Sequence, residues 1–294
     1  MTADERCPSC GATGTTLLRD RDTSGHGYVR CTGCGLGRID PLPAPTALAA
    51  VYDEDYFVAG GARGGYQDYE ADARVHRRTA QRRLDRVDRH AGAPVGRPVL
   101  VDVGAATGHL ASVAAARGWD PVAVEPSRWA AERARGRGLT VVPTLDEVDR
   151  TPGSVDVVTF FQSLEHVPDP VADLARAAEL LRPGGWLVCE TWDLSSRTAR
   201  AAGAGWQQLT APSVLWLLDP PSGARLVRGA GLEPVSWRRS PKSVSLATVL
   251  GQLASSAPAA VGRALQRAVP LTSRVPVPYP LDDLVTFVAR RPPG

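Results

Sequence analysis

The chain has 294 residues, 43% of them hydrophobic and 22% charged, with a formal net charge of +3. That length holds one large α/β domain and a small accessory module, and is too short for three ordinary domains. The mix excludes a disordered or fibrous chain, and the small charge excludes an overt nucleic-acid coat or membrane-surface protein. No long apolar run is free of charges and helix breakers, so no membrane span is predicted. The opening residues Met1-Thr2-Ala3-Asp4-Glu5-Arg6 are polar and acidic, unlike a signal peptide, and a cytoplasmic location is expected.

Four of the five cysteines fall within the first 34 residues, as Cys7-Pro8-Ser9-Cys10-Gly11 and Cys31-Thr32-Gly33-Cys34-Gly35. Each Cys-x-x-Cys turn offers two thiolates, and four thiolates satisfy tetrahedral zinc. Gly11 and Gly35, directly after each second cysteine, permit the positive φ such a turn needs. A redox dithiol or an iron centre is the competing reading, but a redox pair normally sits singly in a thioredoxin-like unit. A structural Zn2+ held by Cys7, Cys10, Cys31 and Cys34 is therefore expected, in a ribbon spanning residues 1–40, with no open position for catalysis. Cys189 stands alone in an apolar strand and reads as core.

Residues 41–97 read as a linker and helical lid. Pro41, Pro43 and Pro45 stiffen the connector. Residues 46 to 91 then read as helical, with Leu48, Val51 and Tyr52, and later Leu84 and Val87, at helical spacing. Gly60-Gly61 and Gly64-Gly65 interrupt them, ringed by Tyr56, Phe57, Tyr66 and Tyr69. Arg74, Arg77, Arg78, Arg82 and Arg83 read as a solvated helix face, with His76 and His90 exposed among them.

Residues 98–294 alternate apolar strands with helices, the pattern of a doubly covered parallel sheet. Strands are predicted at Val99 to Val103, Pro121 to Glu125, Leu139 to Val142, Val155 to Phe161 and Trp186 to Thr191. Ser127 and Asp169-Pro170 are predicted to cap the helices that follow them. His109 opens a helix and reads as a surface or loop-shaping residue. Residues 194 to 225 read as irregular and apolar, and Val285 to Ala289 as a late strand at the sheet edge. The apolar 244–270 segment is a candidate for pairing protomers, which leaves monomer and homodimer both open.

The first strand runs into Val101-Asp102-Val103-Gly104-Ala105-Ala106-Thr107-Gly108 and then a helix, an arrangement that brings backbone close to a nucleotide. A dinucleotide loop needs Gly-x-Gly-x-x-Gly, and here those positions hold Ala106 and His109. An acidic strand end repels a pyrophosphate but receives an ammonium group. Glu125, at the end of the second strand, is placed to accept ribose hydroxyls. Ribose, ammonium and no phosphate describe S-adenosylmethionine.

At this point the chain resembles the class I S-adenosylmethionine-dependent methyltransferases, in the group with an N-terminal zinc ribbon. The resemblance spans nearly the whole chain. It rests on the cysteine pairs, Tyr52-Asp53-Glu54-Asp55-Tyr56-Phe57, Gly65-Tyr66-Gln67-Asp68-Tyr69 and Asp102 to Gly108. Val124-Glu125-Pro126-Ser127, Phe161-Gln162-Ser163-Leu164-Glu165-His166-Val167-Pro168-Asp169-Pro170 and Leu181-Arg182-Pro183-Gly184-Gly185 extend it. The last matching stretch is Asp282 to Arg291. It implies a Rossmann-like sheet with helices on both faces.

The resemblance also implies that Asp102, Gly104, Ala105 and Gly108 line the methionine end and that Glu125 holds the ribose. Thr144 and Leu145 lie near the adenine, and Phe161 and Gln162 close over the sulfonium. Independently of the resemblance, Tyr56, Tyr66 and Tyr69 are candidates for an aromatic lid bordering the cofactor, with ordinary helix packing the competing reading, above all for Tyr56. Ala106 departs from the glycine of many relatives. His166 and Tyr66 are the catalytic candidates: the imidazole as a general base at neutral pH, the tyrosine as an aromatic face beside the sulfonium cation. Packing or capping is an equal reading of His166, and Glu165 reads as structural.

The acceptor expected is a small molecule, as in specialised or antibiotic metabolism, and not nucleic acid. An RNA methyltransferase that grips its substrate through the ribbon, a sugar-nucleotide C-methyltransferase and a non-catalytic binding module are the alternatives. The low net charge counts against RNA. Deoxysugar C-methyltransferases of this group carry a further C-terminal domain, and many place a histidine where this chain has Val214-Leu215-Trp216.

Overall fold

Short β-rich stretches near the amino terminus pair into one small sheet, and the alternating elements beyond residue 98 build a second, larger one. The computed structural model describes residues 6–44, 47–48, 51, 54–58, 69–70, 73–93, 95–240, 243–246, 262, 276–279 and 281–294. Tyr66, the glycine patch and nearly all of the 244–270 segment lie outside the described residues.

In chain order come β1 (Thr15–Arg19), β2 (Gly27–Cys31), β3 (Gly37–Asp40), α1 (Glu54–Val58) and α2 (Ala73–Ala91). There follow β4 (Val99–Val103), α3 (His109–Ala116), β5 (Asp120–Val124), α4 (Arg128–Gly136), β6 (Thr140–Val142) and β7 (Val155–Phe161). The remainder is α5 (Pro170–Leu180), β8 (Leu181–Trp192), α6 (Arg197–Ala202), β9 (Trp216–Leu217), α7 (Pro220–Gly229), β10 (Glu233–Arg239), β11 (Ser243–Ser245), β12 (Pro276–Pro278) and β13 (Leu284–Arg290).

The large sheet has the order β10-β13-β8-β7-β4-β5-β6. Its four pairings from β8 to β6 are parallel, while β13 runs antiparallel against both β8 and β10. The caps form as the residue types dictate. Asp169 accepts from the backbone N–H groups of Val171 and Ala172 at 2.9 and 3.0 Å, and Ser127 accepts from Ala130. Ala80, Leu84 and Val87 of α2 pack with α3 against Leu100, Val157 and Val188 on one face. Leu174 and Ala177 of α5, with Leu226 and Val227 of α7, cover the other.

The sheet ends in a different way from the expectation. Val285 to Ala289 is not an edge strand: β10 flanks it and takes the edge. β10 evades sequence reading because it is mostly exposed and contains Pro234, so it lacks the apolar alternation of a half-buried strand. The stretch 194–225, expected to be irregular, supplies α6, β9 and the start of α7.

The small sheet has the order β1-β2-β3-β9, so its fourth strand comes from residues far along the chain. Gly37 permits that approach, since a Cβ there would lie 2.8 Å from the Leu217 Cβ. Arg30 of β2 pairs with Asp219, which caps α7 by accepting from the Ser222 N–H at 2.9 Å. Cys7, Tyr28, Leu36 and Ile39 of the ribbon share one buried cluster with Leu215, Trp216 and Leu217.

Candidate active site

At the carboxyl end of β4 the backbone turns through left-handed conformations at Gly104, Ala106 and Gly108, with φ of 76°, 48° and 80°. A Cβ on Gly104 would lie 2.4 Å from the Ser163 Cβ, and one on Gly108, besides its left-handed φ, would lie 3.0 Å from the Ala134 Cβ and 3.3 Å from its Cα. Glycine is therefore required at both places, whereas Ala106 accepts a conformation that disfavours any side chain. The loop is tied to β5: Gly104 N–H and Ala105 N–H donate to the Val124 carbonyl, at 2.9 and 3.1 Å. Glu125 Oε2 accepts from Ala106 N–H at 2.7 Å and its Oε1 from Ser127 N–H at 2.9 Å.

Both acidic groups here are buried. Burial pushes the Glu125 carboxyl up to about 7, against the pull of the Ser127 and Ala106 N–H groups. Asp102 is pushed up to about 6 by burial, against the Thr159 hydroxyl and the Arg83 cation. That hydroxyl donates to Asp102 Oδ1 at 2.8 Å.

Arg83 corrects the reading of a solvated arginine face. Its guanidinium pairs with the buried Glu190, donates to Gln162 Oε1 at 3.2 Å and lies 4.9 Å from the Phe161 ring centroid. Arg86 donates to Glu190 Oε2 at 2.9 Å and to Thr286 Oγ1 at 3.2 Å. Both arginines flank the buried stripe of α2, where a half-buried cation meets a carboxylate that would otherwise be desolvated and alone. An Arg-rich composition hides such a pair, because the residue type no longer marks it. Gln162, with φ of 59°, follows β7 and receives its own backbone tie, N–H to the Glu190 carbonyl at 2.7 Å.

The aromatic residues gather over the loop and the start of α4. Phe57 stacks on Trp129 at 5.0 Å, and Tyr56 and Tyr69 meet Phe57 edge-on at 5.2 and 5.8 Å. Tyr69 stacks on His76 at 3.9 Å, and His76 on His109 at 5.5 Å. His76 is thus half-buried and not exposed, and His109, expected at the surface or shaping a loop, is half-buried in the same stack. Burial, and then the Arg137 cation, lower His109 to about 4. Thr144 is exposed and donates to Glu147, while Leu145 beside it is buried.

Beyond Gln162, Ser163 Oγ donates to the Val103 carbonyl at 2.5 Å, locking the turn after β7 onto the cofactor loop. Nothing in the residue type announces that role. Glu165 is fully buried, and burial holds its carboxyl above the usual range despite the nearby His166. His166 Nδ1 lies 2.6 Å from the Ser213 carbonyl oxygen. A carbonyl only accepts, so Nδ1 is the protonated nitrogen.

At the ribbon, the four thiols converge. Cys7 Sγ lies 3.5 Å from Cys34 Sγ and Cys10 Sγ 3.6 Å from Cys31 Sγ, all four within 4.8 Å of one another. Tetrahedral zinc at about 2.3 Å from each sulfur places its thiolates about 3.8 Å apart, so the set fits that ion. Gly11 and Gly35 take φ of 74° and 81°, and their N–H groups close each turn onto the Cys7 and Cys31 carbonyls. Burial raises a thiol, yet the Cys34 and Gly33 N–H groups help bring Cys31 down to about 7.

A mostly parallel seven-stranded sheet, with antiparallel β13 beside β8 and a left-handed loop after β4, defines a class I S-adenosylmethionine-dependent methyltransferase. Residues 71–236 match the model of a methyltransferase domain family, and the chain belongs to that family. It is 32% identical over 170 residues to the ubiquinone biosynthesis O-methyltransferase of Bordetella avium (strain 197N), covering 53% of this chain and 70% of that protein. The enzyme of the same name from Thiobacillus denitrificans is 32% identical over 155 residues, covering 48% of this chain and 67% of that protein. A solved structure with the same fold is the Burkholderia thailandensis 1,6-didemethyltoxoflavin-N1-methyltransferase with bound 1,6-didemethyltoxoflavin and S-adenosylhomocysteine. It is 21% identical with a TM-score of 0.50, covering 94% of this chain and all of that one.

Two outcomes follow from the loop. Ala106→Val, which puts a β-branched residue in a left-handed conformation, weakens S-adenosylhomocysteine binding by about tenfold or more, whereas Ala106→Gly stays within about threefold; isothermal calorimetry reads both, and equal affinities for the two variants contradict the account. The second concerns pH. Burial pushes Glu125 up to about 7 in the free protein, and the ribose hydroxyls that the resemblance assigns to it favour its ionised form, so acidification is expected to cost affinity. Calorimetry from about pH 8 to about pH 5.5 shows S-adenosylhomocysteine affinity falling about tenfold, and a flat or rising affinity on acidification contradicts it.

Proposed function

We propose that the protein transfers the methyl group of S-adenosylmethionine to a hydroxyl oxygen of a small-molecule metabolite. The observation that carries this reading is the His166 imidazole, protonated on Nδ1 by its contact with the Ser213 carbonyl. It stands at the carboxyl edge of β7, where open α/β sheets bind ligands. An acceptor hydroxyl must lose a proton as it is methylated, and an imidazole whose Nδ1 hydrogen is held by a carbonyl presents Nε2 as the proton acceptor. Relatives named as O-methyltransferases support the hydroxyl acceptor.

When bound, the cofactor supplies a methyl group on a sulfonium, poised for in-line displacement. Glu125 accepts the ribose hydroxyls while Asp102, Gly104, Ala105 and Gly108 border the methionine end. Leu145 and Thr144 lie on the adenine side, Phe161 and Gln162 on the sulfonium side, and Tyr56 and Tyr69 on the lid. A Zn2+ ion held by Cys7, Cys10, Cys31 and Cys34 staples the ribbon of residues 1–40 and takes no part in the chemistry. Residues 41–97 serve as linker and lid, and 98–294 as the methyl-transferring unit.

The test is a methyl-transfer screen with phenolic and other hydroxylated small molecules, followed by His166→Ala on the best acceptor. The expected result is a kcat about 10²- to 10⁴-fold lower at unchanged S-adenosylhomocysteine affinity. Unchanged turnover in that variant removes His166 as the base.

A further inference from the structure

The backbone from Ser213 to Leu217 is a strap with polar groups on two sides, and partners take both. Toward the large sheet it meets three consecutive residues of the turn after β7. Leu215 N–H donates to the Glu165 carbonyl at 2.8 Å, and Trp216 Nε1–H donates to the Val167 carbonyl at 2.8 Å. Between them, the Ser213 carbonyl accepts from His166 Nδ1 at 2.6 Å. Toward the ribbon, the Tyr28 hydroxyl donates to the Val214 carbonyl and Ile39 N–H to the Leu215 carbonyl, each at 2.9 Å. The pairs Gly37 with Leu217 and Arg38 with Trp216 complete that side.

Tyr28, Ile39, Leu215 and Leu217 are all fully buried, so these bonds form where water does not substitute for a lost partner. A two-residue strand does not hold itself in place. Its pairing to β3 fixes this one, and Gly37 makes room, since a Cβ there would lie 2.8 Å from the Leu217 Cβ and 3.2 Å from Leu194 Cδ2. The tautomer of a neutral imidazole follows from the bond its other nitrogen makes. The ribbon is thus coupled to the protonation geometry of His166 through the few backbone groups of the strap.

We propose that the four-cysteine ribbon is a positioning element for His166, holding the strap so that the Ser213 carbonyl keeps the imidazole proton on Nδ1 and the basic lone pair on Nε2. Tyr28 and Gly37 are the positioning residues. The catalytic consequence rests on the reading of His166 as the base; the tautomer itself does not. A base displaced by about 1 Å loses on the order of a hundredfold in rate, so a strap loosened on one side slows proton transfer without disturbing the cofactor loop.

The test uses full-length 15N-labelled protein and three variants: Tyr28→Phe, Gly37→Ala and, as a control on exposed β1, Leu17→Ala. In the wild type, the His166 ring nitrogens give one protonated-type signal for Nδ1 and one lone-pair-type signal for Nε2. Tyr28→Phe and Gly37→Ala are expected to mix the tautomers and lower kcat about tenfold or more, with S-adenosylhomocysteine affinity kept within about twofold. Leu17→Ala changes neither. Tyr28→Phe keeps the ring that fills the core, so its result stands even if Gly37→Ala fails to fold. Wild-type ring signals in Tyr28→Phe overturn the proposal, whatever the activity. A shifted tautomer with full turnover in His166→Ala leaves the positioning role standing and removes the base instead.

Discussion

Much of the site hangs on one buried carboxylate. Glu125, at the end of β5, accepts a backbone N–H on each oxygen, one from the β4 loop and one from the start of α4. Bonds to a buried charged acceptor contribute about 1.5–3 kcal/mol each, enough to offset the cost of a left-handed alanine at position 106. With the loop so held, Gly104 lies flat against Ser163, and Ser163 returns a hydrogen bond to Val103. The turn that bears His166 is therefore registered against the cofactor loop by contacts that begin at Glu125. An ionised carboxylate has lone pairs to spare after two such bonds, which is what leaves it able to receive ribose hydroxyls in the proposed assignment.

The same logic of satisfied backbone extends outward to the ribbon. Two cysteine turns close a small sheet that lacks a sufficient core of its own, and it borrows β9 and the side chains around it. The borrowed strand is continuous with the strap that meets His166. A module whose metal reads from sequence as a structural staple is in the fold a neighbour of the turn that bears His166, and its salt bridge from Arg30 to Asp219 anchors the helix cap beyond it.

Local chemistry was legible in the residues; contacts made by tertiary packing were not. The knuckle glycines and the Ser127 and Asp169 caps follow from residue type and spacing, and all form as expected. Strand β10 carries no sequence signal because Pro234 and exposed side chains give it no alternating pattern. The Arg83–Glu190 pair was hidden in a chain where arginine supplies nearly every cation. His76 and His109 sit far apart in sequence, and only the packing of α2 on α3 brings their rings together. The strap carries no motif, since its function lies in backbone groups that every residue possesses.

The most direct measurement is S-adenosylhomocysteine binding by calorimetry to the wild type and to Glu125→Ala. The account predicts one molecule bound per wild-type chain and an affinity lower by about a hundredfold or more in the variant, because both the ribose acceptor and the loop tie are lost. Equal affinity in the two proteins contradicts it.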